Sequence, residues 1–291
     1  MSNKGSVSGL AIAVTGGARG IGREIAKSFV GEGARVAIAD VDVDLAESTA
    51  AELSASAGKT MALRLDVTDV AGFEEFLDKT EASFGSLDVL VNNAGIMPIG
   101  PFLDEPDSIT TRTIDIDVRA VLNGTKLAGR RFRERGSGHV VNVASVMGTM
   151  ASPNAATYCA AKYALVGLGQ ALRQEWRNTG VQITTICPGF VRTELIAGMT
   201  ANPLMEQLAM VDPQDVAKAV VDAVQSGGSG EVFVPKTAGL LSKGSAPLPG
   251  RLRDFAFRLA GGNKVTQTVD KDARASYQRR VAGTQEEGDP T

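Results

Sequence analysis

Short apolar runs alternate with helix-period segments along most of this 291-residue chain, and this alternation restricts the possible folds more than any other feature. Strands that are apolar throughout and separated by helices form a parallel sheet covered on both faces. We therefore predict one doubly wound α/β domain with three layers over residues 1–235, followed by a C-terminal extension of short helices over residues 236–291. The predicted strands are 10–15, 36–39, 61–65, 87–91, 140–144, 181–187 and 231–234. The predicted helices are 21–30, 45–57, 73–84, 109–135, 155–178 and 213–225.

Composition narrows the class of protein without naming a function. Hydrophobic residues make up 43% and charged residues 22%, as in ordinary globular proteins. The net charge of −3 gives no argument for a nucleic-acid partner. Two cysteines exclude a disulfide framework and favour a reducing compartment. We see no signal peptide and no run long enough to cross a bilayer, so we expect a cytoplasmic protein without a metal site.

A glycine-rich turn joins the first predicted strand to the first helix, with the sequence TGGARGIG over residues 15–22. Its glycines, Gly16, Gly20 and Gly22, permit a tight turn and a close approach of a pyrophosphate. The helix N-terminus that follows offers free N–H groups and a partial positive charge. The spacing G-x-x-x-G-x-G differs from the usual G-x-G-x-x-G, and such turns also arise for packing. The turn alone therefore only suggests dinucleotide binding.

Asp40 strengthens that hypothesis, because it ends the second strand 20 residues past Gly20. A carboxylate there can accept hydrogen bonds from the adenosine ribose and repels a 2′-phosphate, which favours NAD over NADP. Arg19 opposes this, since a cation in the turn could bind that phosphate. We expect the carboxylate to outweigh one arginine. Asp66 and Val67, after the third strand, could contact the adenine, although Asp66 could equally cap a helix.

Tyr158 and Lys162 lie four residues apart in a predicted helix, so their side chains share one face. A tyrosine with a pKa near 10 is a poor base at neutral pH. A neighbouring ammonium lowers that pKa towards the range of a general base. Ser145, after the fifth strand, could hydrogen-bond a substrate oxygen. A lone Tyr-x-x-x-Lys is common on surface helices. The motif indicates catalysis only in combination with the other motifs of the chain.

The order of these motifs resembles the short-chain dehydrogenase/reductase family from about residue 8 to residue 235. The matching pieces are TGGARGIG, Asp40, Asp66-Val67, Asn92-Asn93-Ala94-Gly95, VVNVAS ending at Ser145, YCAAK from Tyr158 to Lys162, and PGFVRT from Pro188 to Thr193. The resemblance implies a seven-stranded Rossmann-like fold. It also implies hydride transfer between a nicotinamide and a carbinol or carbonyl carbon.

The resemblance further implies a role for each matching residue. Tyr158 would donate or accept the proton, and Ser145 would hold the substrate oxygen. Lys162 would lower the pKa of Tyr158 and hold the nicotinamide ribose, while Thr193 would bind the carboxamide. The implied cofactor site comprises Gly16, Arg19, Gly20, Ile21, Gly22, Asp40, Asp66, Val67, Asn93, Ala94, Gly95, Tyr158, Lys162, Pro188, Gly189, Val191 and Thr193. The implied substrate site comprises Ser145, Met147, Tyr158 and Gly189.

Asp117 departs from the family pattern, in which an asparagine usually begins an N-x-x-G run. The matching run here is Asp-Val-Arg-Ala over residues 117–120. The backbone carbonyl that helps hold a water chain from the lysine survives the change. The carboxylate could pair with Lys162 and weaken its effect on Tyr158, or could itself be protonated by desolvation. We hypothesise that Asp117 preserves the relay and belongs to the catalytic residues.

Six of the eight methionines fall in segments expected to line the mouth of the site or the loop after Thr193: Met97, Met147, Met150, Met199, Met205 and Met210. Methionine adapts to irregular apolar ligands, which suggests a hydrophobic alcohol or ketone, although core packing explains methionines equally well. Residues 194–212 are a candidate lid over the substrate.

The extension beyond residue 235 is basic, with eight Lys/Arg against three Asp over residues 251–280. Residues 251–259 predict a short basic amphipathic helix, for which we expect a subunit contact or a site cover. Weak peripheral association with an anionic membrane is the alternative. Residues 283–291 are polar and expected to be disordered. Members of the resembling family pair through the helices at 109–135 and 155–178, so a homodimer or homotetramer is expected.

These observations favour an NAD-dependent dehydrogenase of secondary alcohols. An NADP-linked ketone reductase is the second hypothesis, and Asp40 argues against it. The third is a nucleotide-binding sensor that kept the fold and lost turnover. The complete set of Ser145, Tyr158 and Lys162 argues against that one.

Overall fold

The computed structural model describes residues 5–56, 59–245, 247–259 and 261–282. The strands are β1 Ala11–Thr15, β2 Arg35–Asp40, β3 Thr60–Arg64, β4 Val89–Asn92, β5 Gly138–Val143, β6 Val181–Pro188, β7 Phe190–Val191, β8 Met210–Val211 and β9 Gly230–Val234. The helices are α1 Gly20–Gly31, α2 Val43–Ser56, α3 Val70–Phe84, α4 Asp107–Ile114, α5 Val121–Arg135, α6 Ala156–Glu175, α7 Pro203–Ala209, α8 Pro213–Ser226, α9 Lys236–Ser245, α10 Gly250–Leu259, α11 Gly262–Gln267 and α12 Lys271–Ala282.

Seven strands form one parallel sheet in the order β3-β2-β1-β4-β5-β6-β9. This confirms the predicted seven-stranded, doubly wound Rossmann-like α/β fold. The strand order reverses between β1 and β4. Ligands of open parallel sheets bind at the carboxyl ends of the strands beside such a reversal.

Alternate residues of each strand contribute to two different cores. Ile12 and Val14 of β1 pack in a cluster with apolar residues of α1, α2 and α8. Ala11 and Ala13 pack in the opposite cluster with residues of α3 and α5. Because successive side chains of a strand point to opposite faces, both faces can be buried only if the strand is apolar throughout. This explains the uninterrupted apolar runs.

The structure adds two features that the sequence analysis did not predict. Strands β7 and β8 form a separate parallel pair, which joins the two ends of the predicted lid segment 194–212. Two-residue strands are too short to give a periodic signal. The predicted helix 109–135 is α4 and α5 joined by one wide π-helical turn, Asp115–Ala120. Such turns often occur at functional sites, and this one carries Asp117.

The C-terminal extension is helical where the structure describes it. Helix α10 covers the predicted basic amphipathic helix and leaves Leu252, Phe255 and Leu259 exposed. The predicted disordered end, 283–291, lies outside the described residues, and the domain boundary at residue 235 stays a prediction. None of the described helices is both long enough and apolar enough to cross a bilayer.

Candidate active site

The glycine turn is held by the Asn-Asn-Ala-Gly segment, because β1 and β4 are neighbours in the sheet. Asn93 Nδ2 donates to the carbonyl oxygens of Thr15 and Gly16 at 3.0 and 3.1 Å. The backbone amides of Asn93 and Ala94 donate to Thr15 Oγ1 at 3.1 and 3.2 Å. A Cβ atom on Gly22 would lie 2.0 Å from the carbonyl oxygen of Gly16, so only glycine fits there. Segments far apart in sequence thus build one turn.

The residues around this turn fit a dinucleotide. Arg19, the N-cap of α1, makes no side-chain capping hydrogen bond, and the first turn of α1 contains no acidic residue. The N–H groups of this helix end can therefore receive a phosphate. Thr193 lies beside the same turn, since a Cβ atom on Gly20 would be 3.7 Å from its Cγ2. Within the segment 188–193, Thr193 thus lies beside the glycine turn.

The end of β2 is acidic, and the nearby arginine is already paired. Asp40 accepts hydrogen bonds from the backbone amides of Ala18 and Asp42, both at 3.2 Å. The Arg19 guanidinium forms an ion pair with Asp42 and lies 3.8 Å from a carboxylate oxygen of Glu194. Asp42 and Glu194 therefore offset the charge of Arg19, the residue that argued against NAD in the sequence.

Asp66 lies on the exposed side of the segment after β3. Its Oδ1 accepts from the backbone amide of Thr68 at 2.9 Å and from the Thr68 hydroxyl at 2.7 Å. The N-cap of α3 is Asp69, which accepts from the Ala71 amide at 3.1 Å. Asp66 therefore stabilises a local turn instead of capping the helix, while the neighbouring Val67 is buried. Their contact with adenine stays a prediction.

Ser145, Tyr158 and Lys162 meet at the carboxyl edge of the sheet, and all three are buried. Lys162 Nζ lies 5.4 Å from the centre of the Tyr158 ring and donates to the carbonyl oxygen of Val143 at 3.4 Å. Burial raises the pKa of the Tyr158 phenol, and the negative charge of Asp117 raises it further. A hydrogen bond with Ser145 acts in the opposite direction. The two leading effects on Tyr158 therefore both favour the neutral phenol.

Asp117 is fully buried beside this group. Its Oδ2 lies 3.0 Å from Lys162 Nζ, and its Oδ1 accepts from the backbone amide of Ile96 at 2.8 Å. Burial raises the pKa of the Asp117 carboxyl, and the ammonium of Lys162 only partly offsets this effect. A Cβ atom on Gly95 would lie 3.2 Å from Asp117 Oδ2 and 3.3 Å from Lys162 Nζ. The two groups thus lie within ion-pair distance, while burial acts in favour of the protonated carboxyl, so each of the two alternatives has support.

An apolar cluster packs around Tyr158. It contains five of the six methionines singled out in the sequence: Met97, Met147, Met199, Met205 and Met210. Met150 is not part of it. The cluster also includes Phe190 from β7 and Val265 from the C-terminal extension. Residues from five separate parts of the chain thus form one apolar wall.

Sequence reasoning missed two residues of the extension, Arg274 and Tyr277. Both are buried, and both hydrogen-bond to backbone atoms of Met97. The basic composition of the extension gave no signal for them, because a buried arginine and an exposed one look alike in a sequence. Only the folded structure shows that Arg274 and Tyr277 lie beside the loop that contains Met97.

The comparisons with known proteins agree with this geometry. A family model described as short chain dehydrogenase matches residues 10–203. The chain belongs to the short-chain dehydrogenase family. This dehydrogenase is 32% identical to the 2,5-dichloro-2,5-cyclohexadiene-1,4-diol dehydrogenase LinX of Sphingobium indicum over 227 residues, 76% of this chain and 90% of LinX.

Two other matches extend the comparison. The dehydrogenase is 36% identical over 231 residues to the probable oxidoreductase EphD of Mycobacterium tuberculosis, and the match covers 74% of this chain and only 39% of EphD. A short-chain type dehydrogenase/reductase from Mycobacterium marinum superposes with a TM-score of 0.71 at 26% identity, covering 84% of this chain and 98% of that one. The chain thus spans well under half the length of EphD, and the matches show a member of the short-chain dehydrogenase family with its α/β fold.

Proposed function

We propose that this protein transfers a hydride between NAD and the carbinol or carbonyl carbon of a hydrophobic secondary alcohol or its ketone. One observation carries the proposal: Ser145, Tyr158 and Lys162 are gathered at the carboxyl edge of the sheet, beside the glycine turn. A proton-transfer group and a dinucleotide turn at one edge are what alcohol oxidation requires.

We assign to each of the three residues the role that the resemblance to the family implies. Tyr158 removes the hydroxyl proton during oxidation and returns it during reduction, and Ser145 holds the substrate oxygen against it. Lys162 stabilises the phenolate through its charge and binds the nicotinamide ribose. When bound, the nicotinamide supplies the acceptor or donor of the hydride.

Asp117 completes the catalytic group in this proposal. Its carboxylate holds Lys162 Nζ at 3.0 Å, so it fixes the ammonium in the otherwise apolar interior. Its backbone carbonyl remains available for the water chain that conducts the proton to solvent. The substitution for the usual asparagine thus keeps the relay and adds an ion pair.

The preference for NAD over NADP rests on the charges around the end of β2. A 2′-phosphate near Asp40 would also approach Asp42, while the Arg19 guanidinium already pairs with Asp42. Releasing Arg19 would cost that ion pair and leave two carboxylates facing the phosphate. The alternative, an NADP-dependent ketone reductase, would lose this ion pair on binding its cofactor.

The hydrophobic character of the substrate rests on the apolar cluster around Tyr158. Methionine side chains are flexible and polarisable, so they adapt to irregular apolar ligands. LinX is named for a chlorinated cyclohexadiene diol, an alcohol with an apolar ring, and this supports the same class of substrate here.

Assembly and compartment are further parts of the proposal. Pairing through α5 and α6 would give a homodimer or homotetramer, which light scattering of the purified protein tests. Cys159 and Cys187 are both buried and unpaired, which supports a reducing compartment such as the cytoplasm.

Calorimetric titration with NAD, NADH, NADP and NADPH under identical conditions tests the proposed cofactor. We expect clear preference for the unphosphorylated pair, and preference for the phosphorylated pair would overturn the NAD assignment. Tyr158→Phe should retain cofactor affinity and abolish oxidation of every alcohol that the wild type oxidises. Unchanged turnover in this variant would remove Tyr158 from the catalytic role, and absence of turnover in the wild type would favour a sensor.

A further inference from the structure

Arg274 of α12 is the largest fully buried side chain among the described residues. Its Nη1 donates to the carbonyl oxygen of Leu195 at 2.7 Å, and its Nη2 donates to that of Met97 at 2.6 Å. A buried guanidinium is costly unless its donors find acceptors. Both terminal nitrogens find backbone carbonyls here, whereas Nε has no hydrogen-bond partner among the described residues. One arginine from the extension thus joins two segments that are about a hundred residues apart in the sequence.

Both of these segments belong to the substrate side of the site. Met97 follows the Asn-Asn-Ala-Gly segment after β4, and Leu195 lies two residues past Thr193 in the predicted lid. Both residues pack in the apolar cluster that contains Tyr158. The distance between the Met97 and Leu195 segments therefore depends on Arg274, because each terminal nitrogen of its planar guanidinium holds one backbone carbonyl.

Tyr277 lies one helical turn further along α12, with its ring centre 4.6 Å from the guanidinium carbon of Arg274. Its hydroxyl accepts a hydrogen bond from the backbone amide of Met97 at 2.8 Å. The preceding amide, that of Ile96, donates to Asp117 at 2.8 Å. Two successive amides of one loop are thus held, one by the extension and one by the carboxylate that pairs with Lys162.

Other contacts fasten the extension to the same side of the molecule. Thr266 Oγ1 lies 2.8 Å from Ser152 Oγ in the segment after Ser145. The backbone amide of Asp270 donates to the carbonyl oxygen of Gly198 in the lid at 2.8 Å. Arg280 pairs with Glu194 at 2.5 Å. The extension therefore contacts the segments after β4, β5 and β7.

We propose that Arg274 and Tyr277 are positioning residues that complete the substrate site, so that the C-terminal extension sets the size of apolar substrate the enzyme accepts. The inference rests on the proposed function, because it assigns specificity to that same site. Both residues lie well past residue 203, where the match to the family model ends. Specificity would thus reside partly in a segment outside the family match.

Three variants of the full-length protein test the proposal. Tyr277→Phe removes one hydroxyl, and Arg274→Met removes the charge and the fork. Arg258→Gln is the matched control, since Arg258 is an exposed arginine of the neighbouring α10. The probes are secondary 2-alkanols of increasing chain length, assayed with the preferred cofactor. Hydrogen exchange of each protein provides a readout that does not depend on turnover.

The expected result separates substrate positioning from general stability. Arg274→Met should raise KM for the longest alkanols by about tenfold or more and change kcat far less, because lost hydrogen bonds loosen the wall and not the proton-transfer group. Tyr277→Phe should raise KM less, by roughly threefold. Exchange should accelerate at residues 96–99 in both variants and at residues 194–199 in Arg274→Met. Arg258→Gln should match the wild type throughout.

Other outcomes would overturn the inference. Unchanged exchange at both segments in Arg274→Met would show that the arginine does not hold them. Equal increases in KM for short and long alkanols would show that the extension does not select substrate size. Should Arg274→Met fail to fold, Tyr277→Phe decides alone through exchange at residues 96–99. A wild type without turnover, but with the expected exchange pattern, would refute the proposed function and leave the positioning result intact.

Discussion

Asp117 and Lys162 form an ion pair beside Tyr158, with 3.0 Å between Asp117 Oδ2 and Lys162 Nζ and both side chains buried. A lysine whose charge is offset by a carboxylate stabilises a phenolate less than an unpaired ammonium does. The wide turn Asp115–Ala120 carries the carboxylate, and the backbone amide of Ile96 donates to it. We therefore expect the acid–base behaviour of the site to depend on Asp117, whose charge raises the pKa of Tyr158.

Asp117→Asn should shift the pH dependence of alcohol oxidation to lower pH. The charge of Asp117 contributes to the raised pKa of Tyr158, so its removal lowers that pKa, and oxidation requires the phenolate. The maximal rate should change only a few-fold, since the backbone carbonyl of residue 117 is retained. The measurement is kcat/KM for oxidation across the pH range in both proteins.

An unmoved profile would show that Tyr158 does not sense the carboxylate during turnover. A gain of about tenfold or more in the plateau rate, worth about 1.4 kcal/mol, would show that the carboxylate handicaps the enzyme. Asp44→Asn, an exposed aspartate of α2, provides the matched control and should leave the profile unchanged.

Asp117→Asn should also gain stability relative to the wild type as the pH rises from about 4 towards neutrality. Burial raises the pKa of this carboxyl, so the unfolded state releases the proton at lower pH than the folded state does. The stability contributed by the protonated form is therefore lost as the pH rises through the folded pKa. Urea denaturation at several pH values measures the difference between the two proteins. A difference that stays constant with pH would contradict a raised pKa.

Asp42→Asn should improve NADP binding more than NAD binding. Removing this carboxylate deletes the nearer of the two carboxylates beside Arg19, so that the guanidinium can approach a 2′-phosphate. We expect a gain in NADP affinity of about tenfold, because one charge-assisted contact is exchanged for another and one repulsive charge is lost. Calorimetry with both cofactors measures it, with Asp44→Asn again as the control. Parallel changes in both affinities would indicate that Arg19 does not take part in cofactor selection.

Gly22→Ala should weaken cofactor binding and destabilise the fold by about 1–3 kcal/mol, because the added methyl group meets the Gly16 carbonyl oxygen at 2.0 Å. The neighbouring atom belongs to the backbone, so it cannot rotate away. Gly31→Ala, in the same helix, has no atom within 4 Å of the new Cβ and should be neutral or slightly stabilising. Thermal unfolding and NAD titration of both variants provide the comparison. Equal Tm values would contradict the close approach at Gly22.

The sheet, the order of the motifs and the family could all be predicted from the amino-acid sequence. Buried strands and amphipathic helices leave local patterns, so β1 to β6 and β9 lie within a few residues of the predicted runs. The residues predicted to hold the nucleotide also lie together, because strands of one parallel sheet end at the same edge. Even the departure at Asp117 was visible, since it interrupts a familiar motif.

The pairing of charges and the contacts of the extension could be seen only in the folded chain. From the sequence, the Asp117 carboxylate could pair with Lys162 or be protonated by desolvation. The Arg19 guanidinium could face a phosphate or Asp42. Those outcomes depend on distances between segments that are far apart in the chain. Arg274 shows most clearly what the sequence could not predict, because the basic composition of the extension indicates an exposed cation. It is buried only because the fold places two backbone carbonyls where its terminal nitrogens can reach them.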